Sequence, residues 1–102
     1  MVNNWIPMAE GVRRRILADG EQLMLVEVHF EAGAIGAVHS HPHEQITYIV
    51  SGRVRFTRDN ISHDLNAGDS IHIPGGISHG VLALEESTLL DTFSPPREDF
   101  RT

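Results

Sequence analysis

Within seven residues, His39-Ser40-His41-Pro42-His43-Glu44-Gln45 gathers three histidines, a carboxylate and an amide. Neutral imidazole is the commonest protein ligand for transition metals, so this density of nitrogen donors reads first as metal chemistry. If the run is extended, side chains alternate between two faces, and residues 39, 41, 43 and 45 point the same way. Two imidazoles one pleat apart can then share an ion, with Gln45 adding a neutral carbonyl oxygen. The competing reading is a polar surface turn around Pro42 with solvated histidines. Choosing between the two takes a further ligand from elsewhere in the chain.

The elements that must position these residues read as strands. Residues 1–11 carry Trp5, Pro7 and Gly11 without a clear period and form a lead-in that packs Trp5. Arg13-Arg14-Arg15 with Ile16 and Leu17 suggests the first strand, its arginines alternating between faces, and Asp19-Gly20 closes it as a turn. From Gln22 to Phe30, Met24, Val26, Val28 and Phe30 share one face, a period of two. The glycine-rich stretch from Glu31 to Ala37 reads as a loop. Further strands are expected at Ile46–Val50, Arg53–Arg58, Ile61–Leu65, Ser70–Ile73, His79–Leu84 and Ser87–Phe93, with turn residues between them. The tail, residues 94–102, holds paired prolines and cannot be a central strand. About eight short strands and no sustained helical spacing imply an all-β barrel or two-sheet sandwich.

Composition bounds the function. A length of 102 residues suits one domain with one core, and 40% apolar residues suffice to build it. The absence of cysteine excludes disulfides, thiolate nucleophiles and zinc-finger thiolate sites. A formal charge of −6 argues against a nucleic-acid partner, whose phosphates need a basic surface. There is no apolar run of bilayer length and no leader-like N-terminal pattern, so no membrane partner and a cytoplasmic location are expected.

Two spaced motifs supply the missing ligand. The first is Gly33-x5-His39-x-His41-x3-Gln45-x6-Gly52, and the second is Gly68-x5-Pro74-x-Gly76-x2-His79. Both spacings resemble the signature motifs of the cupin family. The resemblance implies a single small jelly-roll β-barrel over residues 1–102, with one divalent metal held by His39, His41, Gln45 and His79. Nickel, zinc, manganese and iron(II) are all admissible. The sequence departs from the common cupin pattern at Gln45, where a carboxylate is usual, and at Ala83, where an asparagine is usual. An amide ligand leaves the bound ion its full charge, which favours Lewis-acid work on an anionic substrate. Glu44 could replace Gln45 only if the strand bulged. His43 reads as a rim or outer residue, His72 as facing either cavity or solvent, and His29 and His63 as ordinary polar positions.

A closer resemblance rests on the histidine segment together with Leu89-Leu90-Asp91-Thr92-Phe93-Ser94-Pro95-Pro96-Arg97-Glu98-Asp99. These segments resemble the small cupins of bacterial pectin and alginate catabolism, which linearise 4,5-unsaturated monouronates to 5-keto-4-deoxyuronate. The resemblance implies that Asp91 moves protons, that Arg97 clamps the substrate carboxylate and that Phe93 forms an apolar wall. It also implies a homodimer. Each role has a plain alternative: Asp91 as a structural ion-pair partner, Arg97 as a solvated tail charge, Phe93 as core. Two rival functions accompany the isomerase reading, namely a non-catalytic uronate-binding module and a metal-dependent dioxygenase.

Overall fold

The computed structural model describes residues 4–101. Strand β3 (Met24–Phe30) shows why the chain forms sheet. Its even-numbered side chains Met24, Val26, Val28 and Phe30 are buried, while Leu25, Glu27 and His29 point to the other face. The same alternation marks β5 (Glu44–Ser51) and β6 (Arg53–Arg58), whereas β1 (Ile6–Ala9) is exposed throughout, β4 (Ile35–His39) nearly so, and β2 (Val12–Asp19) buries Val12 and Ile16. The chain continues through β7 (Ile61–Asn66), β8 (Ser70–Ile73), β9 (His79–Ala83) and β10 (Ser87–Ser94), and one 3₁₀ turn follows at Glu98–Phe100.

All the pairings are antiparallel and fall into two sheets, ordered β1-β2-β3-β10-β5-β8 and β4-β9-β6-β7. Chain neighbours repeatedly lie in different sheets, as a jelly roll requires, and the two sheets face each other across one core. From the larger sheet come Val26, Val28, Ile49, Ile73 and Leu89; from the smaller come Val54, Phe56 and Ala83. Full burial of a side chain of this size contributes about 1.5–3 kcal/mol, so the shared inner face holds the sheets together. The β6–β7 hairpin turns at Asp59 and Asn60, both at positive φ, the geometry whose twist suits a two-residue hairpin loop.

Three expectations change. The segment from His39 to Gln45 is not one extended strand: β4 ends at His39, the chain turns at residues 40–43, and β5 starts at Glu44. Pro42, which cannot donate a ladder hydrogen bond, sits in that turn. The stretch read as a loop to Ala37 already pairs from Ile35, where β4 meets β9. The lead-in contains strand β1, and Trp5 lies against the guanidinium groups of Arg13 and Arg15; residues 1–3 of that lead-in, and Thr102 of the tail, lie outside the described residues. As expected, the tail beyond Ser94 is no central strand: it carries the 3₁₀ turn at Glu98–Phe100, and Phe100 packs against the core.

Candidate metal centre and adjoining cavity

Register brings the first two histidines together. His39 ends β4 and His79 begins β9, and the two are direct cross-strand partners in the smaller sheet. Gln45 comes from β5 in the larger sheet, and His41 from the turn between the sheets. The nitrogen ligand atoms of His39, His41 and His79 all lie within 4.8 Å of one another. Glycine permits this approach of the two motifs. The Gly76 N–H donates to the carbonyl of His41 at 2.8 Å, and a Cβ on Gly75 would overlap the carbonyl oxygen of Pro42.

Hydrogen bonding sets the chemical state of each ring. Nδ1 of His39 lies 2.9 Å from the Ala37 carbonyl, Nδ1 of His41 3.1 Å from that of His43, and Nδ1 of His79 2.9 Å from that of Ile77. A carbonyl only accepts, so Nδ1 of His39 and of His79 carries the proton and Nε2 keeps a lone pair; a neutral His41, with an acceptor at both nitrogens, can donate to only one of them. Burial pulls the pKa of His41 down to about 4 and lowers that of His79, with the charge of Arg97 adding to both effects. Both rings are therefore neutral near pH 7.

The lone pairs are left without hydrogen. Nε2 of His79 is buried and has no hydrogen-bond partner among the described residues. In the Nδ1-protonated ring that a metal requires, Nε2 of His41 faces Oε1 of Gln45 at 3.0 Å, lone pair to lone pair. Orphaned acceptors of this kind are costly in a dry interior, and a shared cation satisfies them together. Three imidazole nitrogens and an amide oxygen thus fit a divalent transition metal.

A cavity of about 290 Å³ opens beside this cluster. His39, Gln45, His79, Asp91, Phe93 and Arg97 are among its walls. Asp91 stands on β10 opposite Thr47 of β5, and its Oδ1 accepts from the Thr47 hydroxyl at 2.7 Å. Its surface meets the cavity while the protein shuts out bulk water, and that desolvation pushes its carboxyl up to about 6, against the opposing pull of Thr47 and Arg97. A group tuned there can both take and return a proton near neutrality.

Arg97 is no solvated tail charge. Its side chain is only 11% exposed, and Nε and Nη2 donate to the two oxygens of Asp99 at 3.0 and 2.8 Å. The guanidinium lies 5.0 Å from the ring centre of Phe93 and 4.2 Å from that of Phe100. Phe93 belongs both to the core and to the cavity wall, and its ring meets His41 edge-on at 5.7 Å.

The remaining histidines separate. His43 lies against His41, with ring centres 5.3 Å apart and its Nδ1 buried without a partner among the described residues. His72 faces outward and meets Glu44 at 2.6 Å, which also places Glu44 away from the cluster. His29 pairs with Glu86. Sequence reasoning passed over Thr47, Phe100 and Gly75. Thr47 carried a readable signal, being a polar residue at inward parity between Gln45 and Ile49. Phe100 and Gly75 had none, because their contacts are made across the fold.

Two facing antiparallel sheets in jelly-roll order, with a histidine cluster opening on a cavity, define a class. The chain belongs to the cupin family, and residues 26–92 match its Cupin domain. Among individual proteins, it is similar to the pectin degradation protein KdgF of Dickeya dadantii (strain 3937), with 41% identity over 98 residues, 94% of this chain and 89% of that protein. The solved structure of KdgF from Halomonas sp. superposes with a TM-score of 0.90 at 38% identity, covering 94% of this chain and 89% of that one. An RmlC-like cupin from Shewanella frigidimarina gives 0.92 at 38% identity, covering 96% and 88%.

Proposed function

We propose that this cupin is a metal-dependent enzyme of pectin or alginate breakdown that linearises 4,5-unsaturated monouronates to 5-keto-4-deoxyuronate. The observation that carries the reading is Asp91, a carboxyl pushed up to about 6 on the wall of a cavity shared with the histidine cluster. Likeness to KdgF proteins in sequence and structure supports the substrate class.

The reaction is an isomerisation and needs no oxidant. One proton leaves the anomeric hydroxyl, C1 becomes a carbonyl as the C1–O5 bond breaks, and C4 gains a proton as C5 becomes a ketone. His39, His41, Gln45 and His79 would hold a divalent ion, which supplies Lewis-acid stabilisation of charge developing on a substrate oxygen. Asp91 takes the hydroxyl proton and delivers one to C4. Arg97, whose Nε and Nη2 are engaged by Asp99, meets the substrate carboxylate through Nη1. Phe93 closes the apolar side and limits water.

The test follows the ultraviolet absorbance of the C4=C5 double bond with metal-loaded protein and unsaturated monouronate. Decay faster than the spontaneous rate, abolished by chelation and by His41→Ala, is the expected result. An unaccelerated rate with metal bound would reject the enzyme in favour of a uronate-binding module, and oxygen uptake would point to a dioxygenase.

A cytoplasmic location and a homodimer belong to the same proposal. No helix of the described residues is long and apolar enough to cross a membrane. On the outer face of β5, Ile46, Tyr48 and Val50 stand in a row, 50%, 44% and 45% exposed, an apolar surface that a second copy would cover. Sedimentation of a monomer at micromolar concentration would reject the dimer.

A further inference from the structure

We propose that Thr47 is a positioning residue that decides which end of the Gln45 amide faces the metal cluster. The inference rests on the metal-centre reading above but not on the identity of the substrate. An amide has two ends of nearly equal shape and opposite hydrogen-bonding character, and only its oxygen can ligate a metal. Something must hold that oxygen toward the histidines.

In the tautomer that a metal needs, the local chemistry favours the wrong end. With the proton on Nδ1, toward the His43 carbonyl, Nε2 of His41 offers a lone pair. Turning the Gln45 amide over would place its NH₂ against that lone pair and make a good hydrogen bond. The structure instead sets Oε1 there, at 3.0 Å.

Thr47 supplies the opposing preference. Its side chain is wholly buried, and its hydroxyl has one proton, which goes to Oδ1 of Asp91 at 2.7 Å. The oxygen is thereby left to accept, and it accepts from Nε2 of Gln45 at 2.9 Å. With the amide reversed, Gln45 Oε1 would face Thr47 Oγ1, and the two oxygens would compete for that single proton. Asp91 holds it, because a hydrogen bond to a carboxylate is the stronger one. A directed chain therefore runs from Asp91 through Thr47 to Gln45 and leaves the amide oxygen toward the cluster. The same register that sets Thr47 opposite Asp91 keeps all three on the inner face of the larger sheet.

The experiment is a zinc titration against a competing chelator on wild type, Thr47→Val and Thr47→Ser, which reads affinity without substrate. Thr47→Val is expected to lower affinity about 10–100-fold, the usual cost of losing an outer partner of a ligand, and Thr47→Ser to restore it. The decisive arm repeats Thr47→Val in a Gln45→Glu background. A carboxylate presents oxygen from either end, so there the loss should shrink severalfold. Wild-type affinity in Thr47→Val, or an undiminished loss beside Gln45→Glu, would overturn the proposal. If Thr47→Val does not fold, the wild-type protein still decides: slow solvent exchange of the Gln45 side-chain NH₂ supports the chain, and fast exchange overturns it. A zinc result of the expected kind in a protein that leaves unsaturated uronate untouched would reject the proposed function and keep this inference.

Discussion

The two ends of the cavity are built by different means. At the histidine end, the three imidazoles are fixed through the backbone: His39 and His79 by strand register, His41 by a turn docked on Gly75 and Gly76, and every ring by a carbonyl two residues away. At the other end, Arg97 is held by side chains alone, stacked on Phe93 and Phe100 and forked onto Asp99. Arg14 also stacks on Phe100, at 4.0 Å from its ring centre. A metal tolerates little displacement of its ligands, whereas a carboxylate clamp can adjust to the molecule it receives. The rigid end suits coordination, and the adjustable end suits binding and release.

Substitutions can break this contrast in order of severity. His79→Ala should have the largest effect, removing a ligand outright. Metal affinity should fall by more than the roughly 10–100-fold typical of an outer partner, and turnover should go with it. Metal titration and the double-bond assay check both.

Asp91→Asn should separate chemistry from coordination. Turnover is expected to fall about 10²–10⁴-fold with zinc still bound. In the metal-free wild type, Asp91 holds its proton more tightly when folded than unfolded, so between about pH 4 and pH 6 stability is lost as pH rises. Above that window Asp91→Asn should be more stable by up to about 3 kcal/mol, and below it the gap should close. Denaturation midpoints at pH 7 and pH 4 measure this. As the base form does the work, turnover should rise with pH through an acid limb at or below about 6, since a bound cation can only favour the carboxylate.

Arg97→Lys addresses the adjustable end. An ammonium keeps the charge but cannot fork onto Asp99 or stack as a plane, so KM should rise about 10–100-fold while metal affinity stays constant. Phe100→Leu should be mildest, with KM rising a few-fold as Arg97 and Arg14 lose a cation–π partner of about 0.5–1 kcal/mol each. An equal loss of metal affinity in either variant would show the two ends to be one unit.

Much was legible in the chain itself. The period of two in Met24–Phe30 and Arg53–Arg58 and the turns at Asp59-Asn60 and Gly68-Asp69 specify strands and their reversals, because pleat and turn geometry depend on near neighbours. The spacing of the two histidine motifs pointed to a shared ligand cluster through its resemblance to the cupin signature. The route to that cluster was not legible. His39, His41 and Gln45 converge from two sheets and the turn between them, not along one strand, and Pro42 marks the break.

Other features exist only in three dimensions. Arg97 beside Glu98 and Asp99 left two readings open, carboxylate clamp or solvated tail charge, and only the fold shows its guanidinium buried against two aromatic rings. The pKa of Asp91 and the overlap that bars a side chain at Gly75 both arise from groups distant in the chain. Local sequence therefore determined the strands, the turns and the kinds of ligand. The tertiary structure decided which donors lose water together and which end of each one faces the site, because desolvation and orientation depend on every neighbour that folding brings near.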